Sequence, residues 1–300
     1  MHPERVFRVY VDETMLKPMP AFTYNLSITL AFALLAGCTA KTDTSAHLQQ
    51  EPAGAAFYSA NVKDSFYVQT QLPIEYSDST ARRYPVVIVL DANFHFPMLA
   101  ASVRQYEKGG LLPPLILIGV GYRSFKAMDS LRVRDYLYPA ATPSDELAAP
   151  GGGEPFRQFI RRELVPWIDS RYRTTTNDRS LLGHSLGGYF SLYTLLSQAK
   201  ERTHEFRNFV AASPPIWYND YYLNQLPSQL TAFGRGDSIY VFLSVGGEEN
   251  PRWDIKPNRA LADKLSRMSG LQVSGSCYNQ LGHMDTGQLS FLKGLQAFYQ

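Results

Sequence analysis

Short apolar stretches recur along the chain from residue 66 onward and are predicted to form β-strands. Several are continuous apolar runs rather than alternating ones, which is typical of strands that are buried on both faces of a sheet. The predicted strands span residues 66–72, 85–90, 115–120, 180–183, 209–213, 239–245 and 271–278. Strands of this kind need a layer of helices on each side of the sheet.

Helix-spaced apolar residues fill several of the intervals between the predicted strands. The predicted helices span residues 96–107, 155–169, 187–199, 259–268 and 287–298. Alternating strands and helices favour a single α/β domain with a mostly parallel, doubly wound sheet flanked by helices. The segment 122–153 follows neither period and is predicted to be a long irregular loop.

The first 56 residues differ in character from the rest of the chain. Residues 22–35 are mainly apolar and follow Lys17, but they are fewer than the about 20 residues of a membrane-spanning helix. A basic start, a short apolar core and small residues at its end predict a signal peptide over residues 1–37, with Met15 as a candidate true start. The polar residues 38–56 are predicted to be a flexible tether, and the folded domain to cover residues 57–300.

The end of the apolar stretch, Leu35-Ala36-Gly37-Cys38, resembles the lipobox of bacterial lipoproteins. That resemblance implies cleavage before Cys38, lipidation of its thiol and attachment to a membrane through the lipid. Thr39, which is not the aspartate of inner-membrane lipoproteins, points to the outer membrane, with the protein facing the periplasm. A buried N-terminal helix with an incidental cysteine is the alternative.

Composition narrows the range of partners and cofactors. The formal net charge is +2 with 19% charged residues, so the overall basic field that favours nucleic acid is absent. Cys38 and Cys277 are the two cysteines, and a disulfide framework is excluded if Cys38 is lipidated. His, Cys and carboxylate residues lack zinc-site spacing, so neither a metal nor a cofactor is predicted.

The most informative motif is Gly183-His184-Ser185-Leu186-Gly187, between a predicted strand and a predicted helix. This is the pattern of a nucleophile elbow, a tight strand-to-helix turn that exposes a serine hydroxyl. Glycine at positions 183 and 187 is expected to let the strand and the helix approach each other. Ser185 is the candidate nucleophile, and a glycine-rich turn with an idle serine is the alternative.

A serine hydroxyl is unreactive at neutral pH unless a base takes its proton and a carboxylate orients that base. His283, in a loop after the last predicted strand, is the candidate base. The acid is expected after the strand at 239–245, where Glu248 and Glu249 are adjacent. Glu249 is favoured over Glu248, and Asp254 is a third candidate.

An acyl-transfer site also needs two N–H donors for the oxyanion that forms on the attacked carbonyl. One is the residue after the nucleophile, Leu186, and the other is expected in the loop after an early strand, at Asn93. Asp91, in the same loop, is predicted to be a structural turn carboxylate.

Together these residues resemble the putative-esterase family of α/β-hydrolases, which includes esterase D, enterochelin-type siderophore esterases, feruloyl esterases and mycolyl transferases. The resemblance implies an α/β-hydrolase catalytic domain over residues 57–300. In this family the acid is the last residue of a quartet like Gly-Gly-Glu-Glu, which supports Glu249, whereas Ala92 stands where the family usually has glycine. The resemblance rests on residues 89–93, 121–123, 134–139, 151–153, 183–188, 213–217 and 282–283.

The resemblance implies a serine esterase that hydrolyses carboxylic esters through an acyl-enzyme, with the periplasmic siderophore esterases as the most similar branch. An acyltransferase, a feruloyl- or acetyl-type esterase, and a non-catalytic binding lipoprotein on the same scaffold are the alternatives. The substrate is expected to be a small-molecule ester.

Four residues near the predicted loop 122–153 are candidates for substrate binding. Arg123, Arg132 and Arg134 carry charge that suits an anionic or catecholate ester, and Trp217 is a candidate aromatic wall. An anchoring ion pair is the alternative for Arg134, and packing of its own loop is the alternative for Trp217.

Overall fold

An eight-stranded sheet runs through the part of the chain that this computed structural model describes, residues 54–76, 81–145, 147–231 and 239–299. These residues all belong to one compact unit, Gln49–Gln300. The predicted signal peptide, the predicted lipidation site Cys38 and most of the predicted tether lie outside the described residues.

The strand order places six parallel strands side by side. Across the sheet the order is β1-β2-β4-β3-β5-β6-β7-β8. The pairs β1–β2 and β2–β4 are antiparallel, and every other neighbouring pair is parallel. The strands are β1 Ala55–Ser59, β2 Asp64–Gln71, β3 Tyr84–Val89, β4 Ile116–Gly121, β5 Thr174–His184, β6 Asn208–Ala212, β7 Ile239–Gly246 and β8 Leu271–Tyr278. The carboxyl ends of β3 to β8 therefore lie along one edge, where open α/β sheets bind ligands.

Helices cover both faces of this sheet, so the predicted mostly parallel, doubly wound α/β fold is confirmed. A π-helical turn, Ile160–Leu164, joins α3 to α4, and a second one, Pro251–Ile255, precedes α8. The helices are α1 Ala92–Lys108, α2 Phe125–Tyr136, α3 Gly153–Phe159, α4 Val165–Arg171, α5 Leu186–Glu201, α6 Tyr218–Tyr221, α7 Leu226–Thr231, α8 Lys256–Ser266 and α9 Thr286–Tyr299. Within the described residues no helix combines the length and the apolar character that crossing a membrane requires.

Alternate side chains of the central strands enter two separate cores. On β3, Val86 and Ile88 belong to the larger core, which includes residues of α3, α4 and α5. Val87 and Val89 belong to the second core, together with Leu99 of α1 and Phe291 of α9. Burial on both faces explains why these strands are continuous apolar runs in the sequence.

Strand β1 and helix α2 are among the elements that the sequence did not predict. Strand β1 begins at Ala55, two residues before the expected start of the domain, and pairs with β2 as an edge strand. Helix α2 occupies part of the segment 122–153 that was expected to be irregular. The hydroxyl oxygen of Ser124 caps α2 by accepting from the Ala127 N–H, and the buried face of α2 includes Asp135. A buried carboxylate interrupts the apolar period by which helices are recognised.

Candidate active site

Ser185 lies at the turn between β5 and α5, at the carboxyl edge of the sheet. Its backbone has φ 57° and ψ −123°. A non-glycine residue rarely adopts such a conformation, and it is kept where the surrounding structure enforces it. The Ser185 N–H donates to the carbonyl oxygen of Ala212 at 2.8 Å, which ties the turn to β6. This strained strand-to-helix turn is the geometry of a nucleophile elbow.

Two glycines make the close approach of β5 and α5 possible. A Cβ at Gly183 would lie 2.0 Å from the carbonyl oxygen of Gly187, so only glycine fits there. At Gly188 a Cβ would lie 2.9 Å from the carbonyl oxygen of Ala212, and at Gly187 it would lie 3.3 Å from Asp91 Oδ2. The second position that sterically requires glycine is therefore Gly188, whereas the sequence had suggested Gly187.

Glu249 and His283 form a hydrogen-bonded pair beside this turn. His283 Nδ1 lies 2.7 Å from Glu249 Oε2, and the His283 side chain keeps 41% of its surface exposed while the Glu249 side chain keeps 3%. The other carboxylate oxygen, Oε1, accepts from the Ser213 hydroxyl at 2.5 Å and from the Gly246 N–H at 2.6 Å. A buried carboxylate with three donors can hold the imidazole in one orientation.

The Glu249 carboxyl is ionised at neutral pH. Burial alone would raise the pKa of Glu249, but hydrogen bonds from His283, Ser213 and the Gly246 N–H outweigh it and lower the pKa below its ordinary value. An ionised carboxylate only accepts hydrogen bonds, so His283 Nδ1 is the donor in the pair. In the neutral imidazole, His283 Nε2 is therefore the ring nitrogen that carries no proton and can accept one.

The other two carboxylates considered for the acid take different positions. Glu248 is exposed. Asp254 accepts a hydrogen bond from the Asn250 N–H at 3.2 Å, and burial followed by the nearby charge of Glu249 raises its pKa. Neither forms a hydrogen bond with His283 among the described residues, so the structure brings Glu249 to the candidate base.

His184 connects the elbow to the loop that carries His283. The His184 and His283 rings lie 4.8 Å apart between centroids, and His184 Nε2 lies 2.8 Å from the His283 carbonyl oxygen. Because His184 directly precedes Ser185, these contacts place the candidate base beside the candidate nucleophile. Among the described residues the Ser185 hydroxyl makes no hydrogen bond, and such bonds are often long until substrate binds.

The two candidate oxyanion donors begin neighbouring helices at the same edge. β3 and β5 are adjacent and parallel, so α1 and α5 start side by side. Leu186 is the first residue of α5 and Asn93 the second residue of α1, positions whose N–H groups have no acceptor inside their helix. The Asn93 side chain binds the backbone of Tyr122 as acceptor at 2.7 Å and as donor at 2.8 Å, which holds the start of α1 in place.

Arg132 and Arg134 are bound by carboxylates of the protein itself, and for Arg134 this is the anchoring ion pair expected as the alternative to substrate contact. Arg132 donates to Asp91 from Nε at 3.1 Å and from Nη2 at 2.8 Å. Arg134 pairs with Asp135 at 2.7 Å and with Asp64 at 2.9 Å. These pairs attach α2 to the sheet edge, and Asp91 has the structural role that the sequence predicted.

We expect Arg132→Ala to destabilise the fold rather than to change substrate preference. Removing one partner of a buried ion pair typically costs about 3–5 kcal/mol because a charge is left unpaired, and Asp91 is 2% exposed. Urea unfolding should show the loss, and KM values for an anionic ester and a neutral ester of equal size should change alike. Arg123→Ala, at an exposed position, is the control and should leave the unfolding free energy within about 0.5 kcal/mol of wild type. Full stability of Arg132→Ala with a KM increase for the anionic ester alone would restore the substrate role.

Arg123 and Trp217 are the other two residues predicted to contact substrate, and both are at least partly exposed. Arg123 is exposed and forms no ion pair among the described residues. Trp217 is partly buried and packs against the larger core. Of the three arginines, Arg123 is the one without an ion pair in the part of the chain that the structure describes.

Exposed apolar side chains lie next to the candidate active-site residues Asn93 and His283. Phe94, next to Asn93, is 43% exposed, and Phe125, at the start of α2, is 56% exposed. Their rings lie edge to face with centroids 6.1 Å apart, and the two are called the exposed aromatic pair below. Met284, next to His283, is 61% exposed. Exposed apolar groups beside a polar site are typical of ligand-binding surfaces.

Three polar residues for which the sequence predicted no role in the site support the Glu249–His283 pair. Ser213 donates to Glu249, Thr286 lies between Ser213 and the His283 backbone, and His184 contacts the same backbone. Ser213 directly follows β6, beside the strand that leads to Glu249, so its place at the carboxyl edge was the available signal. Among the described residues no group of three or more His, Cys, Asp or Glu side chains is arranged to hold a metal ion.

A parallel sheet with a serine elbow after a central strand, an acid after β7 and a histidine after β8 defines an α/β-hydrolase. The sequence model of the family described as "Putative esterase" matches residues 59–275. The chain belongs to this family and is a carboxylic ester hydrolase.

Relatives and solved structures agree with this assignment. The chain is 29% identical over 218 residues to the ferri-bacillibactin esterase BesA of Bacillus subtilis, covering 67% of this chain and 74% of that one. It is 24% identical over 225 residues to the siderophore triacetylfusarinine C esterase of Aspergillus fumigatus, covering 67% and 71%. The fold resembles the crystal structure of the BES protein from Bacillus cereus with a TM-score of 0.73 and 24% identity, covering 82% of this chain and 95% of that one.

Proposed function

We propose that the protein is a serine esterase that cleaves siderophore-like esters through an acyl-enzyme formed on Ser185. The observation that carries the proposal is the 2.7 Å pair of His283 and the buried Glu249 at the same sheet edge as the Ser185 turn. A base oriented by a carboxylate is what a serine hydroxyl needs to react at neutral pH.

The proposed reaction has two acyl-transfer steps. His283 Nε2 takes the hydroxyl proton while Ser185 Oγ bonds to the ester carbonyl carbon, and the N–H groups of Leu186 and Asn93 stabilise the oxyanion. The tetrahedral intermediate collapses, the C–O bond to the alcohol breaks, and protonated His283 gives its proton to the leaving oxygen. Water then attacks the acyl-enzyme with the same base, which releases the acid and restores Ser185.

The substrate class is supported by the relatives and by the surface of the site. BesA and the Aspergillus fumigatus relative are named as siderophore esterases. Beside the candidate machinery, the exposed aromatic pair suits an aromatic acyl group, and Arg123 suits an anionic or catecholate group. Since Arg132 and Arg134 are engaged in ion pairs, Arg123 replaces them as the proposed cationic contact.

A panel of esters tests this proposal. Purified protein should be assayed on p-nitrophenyl acetate, a feruloyl ester and a triserine catecholate siderophore, with the Ser185→Ala variant as the blank. We expect the highest kcat/KM for the triserine catecholate. Faster turnover of the acetate than of both aromatic esters would contradict the substrate class while leaving the esterase activity intact.

Replacing the exposed aromatic pair should weaken binding of aryl esters selectively. We expect Phe94→Ala and Phe125→Ala each to raise KM for a catecholate ester by about two- to tenfold, because one aromatic contact is worth about 0.5–1.5 kcal/mol. KM for a linear aliphatic ester should stay unchanged. Tyr58→Ala is the matched control, since Tyr58 is 64% exposed on the edge strand β1. Equal increases for both esters would exclude an aryl subsite at this pair.

We also propose that the protein is a lipoprotein attached through Cys38 to the outer membrane and facing the periplasm. The support is the segment Leu35-Ala36-Gly37-Cys38 after an apolar stretch, followed by Thr39.

In a bacterial host fed an alkyne fatty acid, we expect the full chain to be labelled and to sediment with outer membranes. Cys38→Ala should stay unlabelled and unprocessed, whereas Cys277→Ala should behave like wild type. A soluble mature chain cut at another residue would refute the anchor.

A further inference from the structure

A buried set of hydroxyl and imidazole groups lies behind the Glu249–His283 pair. Glu249 Oε1 lies 2.5 Å from Ser213 Oγ, which lies 2.8 Å from Thr286 Oγ1. Both Thr286 Oγ1, at 3.0 Å, and His184 Nε2, at 2.8 Å, reach the His283 carbonyl oxygen. Ser213, Thr286 and His184 are each at most 3% exposed, so water does not replace these contacts.

Counting protons fixes the direction of the hydroxyl contacts. Each hydroxyl has one proton to donate, and the ionised carboxylate of Glu249 only accepts. The Ser213 proton is therefore used on Glu249, so Ser213 Oγ is the acceptor for Thr286. The Thr286 proton lies between two acceptors, Ser213 Oγ at 2.8 Å and the His283 carbonyl oxygen at 3.0 Å, and is shared by them. The chain runs one way, from Thr286 through Ser213 to Glu249.

The same count assigns a proton to His184. A carbonyl oxygen only accepts, so His184 Nε2 carries the hydrogen that reaches His283. Burial, together with the neighbouring His95 and His283, lowers the pKa of His184 to about 3, so the ring is neutral with a single N–H. The His283 carbonyl oxygen therefore accepts from His184 at 2.8 Å and from Thr286 at 3.0 Å.

The packing of α9 is shaped for this arrangement. A Cβ at Gly287 would lie 2.9 Å from His95 Cε1 and 3.3 Å from His184 Cγ. Glycine at this position lets the first turn of α9, which carries Thr286, lie against the His184 ring.

We propose that Thr286, Ser213 and His184 are positioning residues of the esterase site. The hydroxyl chain keeps Glu249 ionised and turned toward His283 Nδ1, and His184 holds the backbone of His283, so that Nε2 stays free and faces Ser185. This inference rests on the proposed serine mechanism. None of the three residues touches substrate, so their loss should lower kcat and leave KM unchanged.

A pair of variants at Thr286 separates this role from simple packing. Thr286→Val keeps the shape and removes the donor, whereas Thr286→Ser keeps the donor and removes a methyl group. We expect Thr286→Val to lower kcat about five- to tenfold, the worth of about one hydrogen bond, with KM unchanged, and Thr286→Ser to stay within about twofold of wild type. The downfield proton NMR signal of His283 Nδ1–H should be kept in Thr286→Ser and shifted or lost in Thr286→Val. The reverse kinetic ranking, or equal losses in both variants, would overturn the proposal.

His184 offers an independent second pair. His184→Gln keeps an N–H near the position of Nε2, and His184→Phe keeps only the ring shape, so kcat should be retained better by glutamine. If Thr286→Val does not fold, Ser213→Ala with the His184 pair gives the same test. Labelling of Ser185 by a fluorophosphonate distinguishes the two failures. A labelled Ser185 with unchanged kcat in these variants refutes the positioning role alone, whereas an unlabelled Ser185 refutes the serine mechanism beneath it.

Discussion

Ser185→Ala is expected to lower kcat for ester hydrolysis by about 10⁴-fold or more, because the acyl-enzyme loses the atom on which it forms. His283→Ala should cost about as much, and the double variant little more than either single change, since triad members act as a unit. The strained backbone at Ser185, with φ 57°, is as accessible to alanine as to serine, so the fold should persist.

The measurement is kcat for a chromogenic ester, with circular dichroism and urea unfolding to show that each variant is folded. Ser191→Ala is the matched control, because Ser191 lies in α5, the helix that follows Ser185. The Ser191 hydroxyl donates to the Leu181 carbonyl oxygen, outside the site. Turnover by folded Ser185→Ala at more than a few per cent of the wild-type rate would contradict the serine mechanism.

Glu249→Gln is expected to lower kcat by about 10³- to 10⁴-fold, since an amide in this place favours the wrong tautomer of the histidine. The NH₂ group of an amide can donate a hydrogen bond to His283 Nδ1. Nδ1 would then be the acceptor and the ring proton would lie on Nε2, the nitrogen that has to act as the base. KM should change little, because Glu249 is buried behind His283.

The neighbouring Glu248→Gln provides the control, with the same chemical change one residue earlier on an exposed side chain. It should keep nearly full kcat. If Glu248→Gln lost more activity than Glu249→Gln, the role of the acid would pass to Glu248, and the 2.7 Å contact to His283 would be a resting-state arrangement only.

Strands buried on both faces were the easiest part of the fold to predict. β7 begins at the predicted residue, Ile239, and is an apolar run that is buried along nearly all of its length. β8 also begins at the predicted residue, Leu271, although it is an edge strand whose side chains are exposed or partly buried. Strand β1 was missed because it is a five-residue edge strand with mostly exposed or partly buried side chains. Helix α2 was missed because a buried Asp135 stands where the period of an amphipathic helix expects an apolar residue.

The candidate site could be assembled from chain order because three of its residues follow β5, β7 and β8, and parallel strands deliver their carboxyl ends to one edge. The carboxylates that bind Arg132 and Arg134 could not be predicted from chain order. Arg132 binds a carboxylate 41 residues away and Arg134 one 70 residues away, and no local pattern records such a pairing. The direction of the hydroxyl chain at Ser213 and Thr286 likewise depends on distances between separate elements.

Labelling with a fluorophosphonate probe, followed by intact mass and peptide mapping, identifies the nucleophile directly. We expect a single adduct per chain on Ser185, absent from Ser185→Ala and formed more slowly in Glu249→Gln than in Glu248→Gln. Adduct formation on a different residue, or ester hydrolysis that continues at the wild-type rate after Ser185 is fully labelled, would contradict the role of Ser185 as the nucleophile.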